Sequence, residues 1–425
     1  MIQTGLDLIL HNHLSFSEWG RIGLVVNQSS VASHYEPTID VIYQRDKYDQ
    51  LKCIFGPQHG YYQTEQDNMK ETEDQFYRLP NGKKIPLLSL YSQTREPLKE
   101  HFDLIDTLVI DLQDIGCRIY TYMLTMAACL RAASLHKKKV VILDRPNPIG
   151  LALQNKNISK TNPKKYLNIE GHLLDPKFHS FVGWYDIPFR HGLTMGELGN
   201  YFIEKDHLTV DYEIIPCTNL KRNTPLKIFQ EMPWAMPSPN IPTWTSSFLF
   251  PAFVTLEATN ISEGRGTTLP FQLVGAPWMN AKKCIQFLIQ HKKYYLYDSQ
   301  IDNSIFFRPH QFRPTFNKHH NEICNGLQIH IFHYENIHLY NLGLLFLYFC
   351  KVTHPKEFSW KEPGYEYNFE HLPIHLILGN DIVYHLLEDD NSDQNKLKNI
   401  LNYLKSGDEI SDHFYEKVQK HLIYN

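Results

Sequence analysis

Residues 107–115 read TLVIDLQDI and residues 139–150 read KVVILDRPNPIG, two apolar, β-branched runs that each end in carboxylates and amides. Runs this continuous suit strands buried on both faces of a parallel sheet. Working outward, the runs RIGLVVN at 21–27, LKCIFG at 51–56 and IPLLSLY at 85–91 repeat the pattern. Between them lie stretches of helical character at 35–48, 95–106 and 120–138. Strands alternating with helices predict an α/β domain, and right-handed crossovers make it doubly wound and Rossmann-like.

Past residue 150 the pattern changes. Residues 151–180 are polar and rich in Lys and Asn, which predicts a linker or excursion. Mixed segments follow, with a Pro-rich stretch at 232–244, an alternating strand at 327–334 and polar helices from about 390. The expected organisation is an α/β domain at 1–150, a linker at 151–180 and an α+β domain at 181–425.

The 425-residue chain carries a formal charge of -4, which argues against a nucleic-acid binder. Its seven cysteines form no CxxC pair and several sit inside apolar runs, so they read as buried thiols of a reducing compartment rather than zinc ligands. The first residues lack the regions of a secretory signal, and no stretch has the length of a membrane span, so a cytoplasmic location is expected. Aromatics reach 13% with 25 Tyr, which reflects either compositional bias or platforms for sugar rings.

Ligands of open parallel sheets bind beyond the carboxyl ends of the strands. There the sequence places Asn27, then Gln58 and His59, then Tyr91, then Asp111 and Asp114, then Asp144, Arg145 and Asn147. Any one of these can be a cap or a turn residue; together they predict a cleft. The first strand–helix turn has no glycine, and no GxxxxGK[ST], HExxH or GxSxG occurs, so dinucleotide, P-loop, zincin and α/β-hydrolase chemistry are excluded and no cofactor or metal is expected. Downstream, Arg190 and His191 precede a helix that Thr194 and Glu197 cap as a box, a structural assignment for Glu197. The loop 260–268 presents Glu263 and Arg265 between glycines, suited either to close ligand approach or to a salt-bridged turn.

At these motifs the chain resembles the exo-β-N-acetylmuramidase family (NamZ-type, glycoside hydrolase family 171). The matching segments are GLDLIL at 5–10, IGLVVNQSS at 22–30, IFGPQHG at 54–60, IPLLSLY at 85–91, DLQDIGCRIYTY at 111–122 and VVILDRPNPIG at 140–150. They continue with FVGWYDIPFRHGLTMGEL at 181–198, MPSPNIPT at 236–243, TNISEGRGTTLPFQLVGAPW at 259–278 and CNGLQIHI at 324–331. The resemblance implies a Rossmann-like domain, a second domain, a cleft between them, and release of N-acetylmuramic acid from non-reducing ends of peptidoglycan-derived glycans.

One position departs from the family. Its second-strand motif commonly reads Pro-Glu-His-Gly, and that glutamate is the usual candidate acid; here the residue is Gln58, in a PQHG-bearing branch with an ETQDNM-like continuation that TEQDNM at 64–69 resembles. An amide neither donates a proton nor acts as a base. Candidate replacements are Glu65, Asp67 and Glu71 in the following loop, with Asp111, Asp114 or Glu263 as the second carboxylate and His59 as a relay. Arg118, Arg145, Arg190 and Arg265 are candidate partners for the lactyl carboxylate. Asn27, Gln58, Asp144, Asn147, His191 and Asn240 are further candidate sugar contacts, while Tyr120 and Tyr122 either stack on the ring or pack the next helix. The alternatives are a non-catalytic amino-sugar or muropeptide binder, motivated by Gln58, and a glycosidase of shifted specificity.

Overall fold

A computed structural model describes residues 1–425 apart from 67–68, 93–94, 157–163 and 302. The strands are β1 (Ile22–Val25), β2 (Leu51–Gly56), β3 (Gln75–Arg78), β4 (Lys84–Ser89), β5 (Thr107–Ile110), β6 (Lys139–Leu143), a short pair β7 (Leu153–Gln154) and β8 (Tyr166–Leu167), and β9 (Tyr212–Ile215). Three more follow: β10 (Leu273–Ala276), β11 (Ile305–Phe312) and β12 (Cys324–Ile331).

The large sheet runs β3-β4-β2-β1-β5-β6-β9. Every neighbouring pair is parallel except β3 with β4. Numbering its six parallel strands in chain order gives 3-2-1-4-5-6, the order of a doubly wound dinucleotide-type sheet. All five expected strands are present. Two more come from elsewhere: β3 adds an antiparallel edge, and β9 joins from beyond the polar stretch 151–180.

Alternation along the strands divides the core between two faces. Leu24, Val26, Ile54 and Val109 pack with Leu6, Ile9, Ile39 and Ile42 from helices Gly5–Leu10 and Thr38–Arg45. Val25, Phe55, Leu108 and Ile110 face the other way, with helix Tyr122–Leu135. That second core is continuous with the C-terminal half, reaching Phe248 in helix Trp244–Phe253 and Leu345 in helix Leu339–Thr353. Burying one such side chain stabilises the fold by about 2 kcal/mol, so a shared core holds the two halves against each other. The antiparallel sheet β10-β12-β11 and the helix Asp393–Val418 complete the second half.

The chain end returns to the first sheet. The Tyr424 hydroxyl donates to Asp144 Oδ2 at 2.6 Å, and Glu197 Oε1 accepts from Arg222 at 2.6 Å and from the Ile423 amide at 3.0 Å. Thr194 and Glu197 form the expected capping box. All seven cysteines are free and buried. Among the described residues no helix is long and apolar enough to cross a membrane, and no His, Cys, Asp and Glu group has the arrangement to hold a metal ion.

Candidate active site

β2 ends at Gly56 and the chain turns at once through Pro57-Gln58-His59-Gly60, with the Gly60 amide donating to the Pro57 carbonyl at 2.9 Å. The turn holds His59 at φ +69°, in the left-handed region that costs a residue with a side chain energy. It delivers Gln58 and His59 to a cavity of about 50 Å³ at the seam between the halves. The first half also supplies Tyr120, Thr121, Tyr122 and Asn240; the second supplies Glu257, Arg265, Tyr365 and Glu366. The volume suits a water-sized group.

Gln58 is fixed from three sides. Its Oε1 accepts from the Thr121 hydroxyl at 2.5 Å, which orients the Nε2 hydrogens toward Tyr91 (3.2 Å) and Glu366 Oε1 (3.4 Å). Glu366 Oε2 accepts from the Tyr91 hydroxyl at 2.8 Å. Burial raises the Glu366 pKa above the ordinary glutamate value; the Tyr91 and Gln58 hydrogen bonds and Arg265 oppose that shift, and Glu257 adds to it.

The Glu366 backbone explains how a C-terminal carboxylate reaches a strand end of the other half. Tyr365 and Asn368 form an antiparallel bridge, with amide–carbonyl hydrogen bonds of 3.0 and 3.2 Å. Between them Glu366 and Tyr367 sit at φ +47° and +62°. Two positive φ values are those of a type I′ turn, usually Asn-Gly, and side chains at both positions cost roughly 1–2 kcal/mol each.

The other cavity carboxylate is held differently. Arg265 meets Glu257 Oε1 at 2.5 Å, and the Tyr365 hydroxyl donates to Glu257 Oε2 at 2.9 Å. Arg265 also lies 3.6 Å from Glu263, which Lys318 approaches to 2.7 Å. Burial acts to raise the Glu263 pKa, but Lys318 and Arg265 outweigh it and hold the group below its ordinary value. Burial pushes His59 down to about 4, with Arg265 adding to the shift, while its Nδ1 lies 2.7 Å from the Glu65 carbonyl oxygen. A neutral imidazole results at physiological pH.

Of the residues singled out by sequence, Gln58, His59, Tyr120, Tyr122, Asn240 and Arg265 line this cavity together. Asn27 stands behind it, donating to the Tyr122 hydroxyl at 2.6 Å. Glu65 and Glu71 point away: Glu65 is 3.7 Å from Lys70 and Glu71 is 3.9 Å from Arg95, on more exposed ground. Asp67 lies outside the described residues.

The remaining candidates are engaged inside the fold. Asp111 takes Arg145 in two hydrogen bonds of 2.5 and 2.8 Å and accepts from Thr38 at 2.5 Å. Arg145 itself borders a different cavity, of about 650 Å³, with Gln113 and Trp234. Asp144 caps the helix that starts at Met195, accepting from Thr194 and the Gly196 amide at 2.8 Å each; burial pushes it up to about 6. Asp114 bonds the Gly116 amide at 2.6 Å and His191 at 3.1 Å. Asn147 closes a local turn on the Ile149 amide. Arg118 spends its guanidinium on the carbonyls of His172, Ile187 and Leu378 at 2.7–2.8 Å. Arg190 pairs with Glu170 at 2.6 Å. Buried groups with so many fixed partners hold elements together; none of these lines the seam cavity among the described residues.

Sequence reasoning missed Glu257, Thr121 and Glu366. Glu257 sits in the otherwise apolar FVTLEA stretch, where a lone buried carboxylate demands a partner. Glu366 lies in PGYEYN, where Pro-Gly marks a turn but nothing local shows which residue its tip carries.

Comparison with known proteins agrees with this architecture. Residues 22–245 match the domain family described as Exo-beta-N-acetylmuramidase NamZ, N-terminal, and residues 248–424 match its C-terminal counterpart. The chain is 32% identical over 423 residues to the peptidoglycan beta-N-acetylmuramidase NamZ of Bacillus subtilis, covering 100% of this chain and 91% of the relative. A crystal structure of a DUF1343 family protein from Bacteroides fragilis superposes with a TM-score of 0.78 at 27% identity, covering 100% of this chain and 99% of that one. A second from the same organism, at 23% identity and the same coverage, shares the fold with a TM-score of 0.67. With both domain families matched in order and the relative aligned along the full chain, this protein belongs to the NamZ exo-β-N-acetylmuramidase family.

Proposed function

We propose that this protein is an exo-acting glycoside hydrolase that releases N-acetylmuramic acid from the non-reducing ends of peptidoglycan-derived fragments. The observation that carries the reading is the unequal pair of carboxyl groups in the seam cavity. Glu257 is ion-paired to Arg265, whereas Glu366 has neutral donors, Tyr91 and Gln58. Glycoside hydrolysis uses carboxyl groups whose surroundings push them toward different protonation states. The substrate follows from the name of the Bacillus subtilis relative.

A cation at the same seam supports an acidic sugar. The Arg95 guanidinium lies 4.0 Å over the Tyr91 ring and 5.1 Å from that of Tyr367, next to the turn that carries Glu366. Its Nη1 donates to the Ser92 carbonyl at 2.5 Å and its Nη2 lies 3.9 Å from Glu71, so a carboxylate such as the lactyl group of muramic acid would bind there by displacing Glu71. The seven buried free thiols suit work on fragments inside a reducing compartment.

The test is hydrolysis of a chromogenic β-N-acetylmuramide beside the matching β-N-acetylglucosaminide. Turnover of the first alone is expected. Turnover of the second alone would keep a glycosidase but overturn the sugar. Gln58 motivates a second reading, a saccharide binder without turnover. It predicts saturable heat of binding for a muramyl disaccharide and no released sugar after days.

A further inference from the structure

We propose that Glu366 is the proton donor of this reaction, carried into the seam cavity by the Tyr365–Asn368 turn and aimed by the Gln58 amide and the Tyr91 hydroxyl. The inference rests on the hydrolase reading above and adds the residue that performs its first step.

Three observations converge on this residue. Gln58 offers no exchangeable acid, and its amide is committed by Thr121 to the orientation that donates toward Glu366. The other acidic groups around the cavity are ion-paired: Glu257 with Arg265 and Glu263 with Lys318, each within 2.7 Å. Of these three, Glu366 is the one whose nearest hydrogen-bond partner is an uncharged tyrosine, Tyr91 at 2.8 Å. It is 4% exposed yet lines the cavity. Finally, the turn adopts positive φ at two residues with side chains, where glycine would be relaxed. Backbone strain of this kind persists where the surrounding structure imposes it, and here it sets one carboxyl group opposite β2.

Burial raises the pKa of the group and so favours its protonated form. Glu366 transfers that proton to the glycosidic oxygen as the C1–O bond breaks, and the bonding pair leaves with the oxygen as a neutral alcohol. Water supplies the hydroxyl that ends on C1, and its displaced proton restores the Glu366 carboxylic acid. The sum is one bond hydrolysed by one water.

The experiment compares wild type with Glu366→Gln on two substrates, a muramyl–glucosamine disaccharide and a nitrophenyl β-muramide. The first leaving group needs a proton; nitrophenolate leaves without one. The expected result is a loss of about 10²–10⁴-fold on the disaccharide, a much smaller loss on the nitrophenyl glycoside, and disappearance of the basic limb of the pH–rate profile. Glu366→Asp recovers part of the disaccharide activity, and Glu366→Gly, free of the turn's strain, gives a folded variant with the same substrate-selective loss. Equal losses on both substrates in folded variants, or a disaccharide rate near wild type, overturn the assignment. Wild-type enzyme that releases sugar from neither substrate overturns the hydrolase reading, and Glu366 with it. Because that control is read first, the two failures are told apart.

Discussion

The Tyr91 hydroxyl donates to Glu366 Oε2 at 2.8 Å, joining the end of β4 in one half of the protein to a turn in the other. The hydrogen bond favours the ionised carboxyl group and so restrains a pKa that burial raises. Tyr91→Phe is expected to raise the Glu366 pKa further. An acid catalyst then stays protonated to higher pH, so the basic limb of the rate profile shifts upward while kcat falls. The cost to stability is about 1–2 kcal/mol, that of a buried hydrogen bond to a charged or half-charged group. Rate profiles and urea denaturation of both proteins check this; an unmoved limb contradicts it.

Gln58→Glu places a second carboxyl group where the amide nitrogen now lies 3.4 Å from Glu366. Two carboxylates so close resist ionising together, and one folded-state pKa must rise well above its unfolded value. A raised pKa contributes stability that is present below the unfolded value and lost as pH rises through the folded one. The variant should therefore match wild type most closely at about pH 4 and fall progressively behind it toward pH 8. Paired denaturation curves at several pH values measure the gap. A gap that stays constant with pH would show that the two groups do not interact.

Glu366→Gly separates stability from activity. At φ +47° glycine avoids the clash that glutamate carries, a relief of roughly 1–2 kcal/mol offset by about 0.5–1 kcal/mol of extra chain entropy in the unfolded state. A buried carboxyl group is lost as well. The Tyr91 and Gln58 hydrogen bonds lost with it offset that relief, so we expect an unfolding temperature close to or slightly below that of wild type, with the same selective loss of disaccharide hydrolysis as Glu366→Gln. A sharp drop in melting temperature would mean that the carboxyl group holds the seam closed.

The sheet was legible because its signal is local. The strand cores LVI at 108–110 and VVIL at 140–143 are buried on both faces, so they are apolar throughout and the runs stand out. The edge strand β3 was not: its residues are mostly exposed, and QFYR has no alternation to mark it. The site divides along the same line. Gln58, His59 and Tyr122 sit next to strands or a long helix and could be placed by counting to the strand ends. Glu366 enters from more than three hundred residues downstream of Gln58, through a pairing recorded by no spacing in the chain. Asp111, Asp144 and Arg118 carried the right chemistry at the right edge but point into the fold, because buried helix ends and carbonyls also need charged or hydrogen-bonding partners.

Two buried groups away from the seam give opposite pH dependences that single substitutions should expose. Burial pushes His172 down from 6.5 to about 4, with Arg118 adding to the effect. Folded His172 therefore holds fewer protons than the unfolded chain between those values, and its contribution to stability grows as pH rises, complete above about 6.5. Asp144 is pushed up from 3.8 to about 6 by burial, against hydrogen bonds from Tyr424, Gly196 and Thr194. Its contribution is complete below the unfolded value and is lost as pH rises to about 6. Each shift corresponds to something on the order of 3 kcal/mol across its window, at 1.36 kcal/mol per pH unit. In wild type the two slopes oppose each other from about pH 4 to 6. Asp144→Asn should cost more at pH 4.5 than at pH 7, since the variant forfeits the low-pH contribution. His172→Gln should do the reverse and lose more at pH 7. Urea denaturation of the three proteins at both values tests the pair, and equal costs at the two pH values for either variant would show that its group keeps an ordinary pKa in the folded protein.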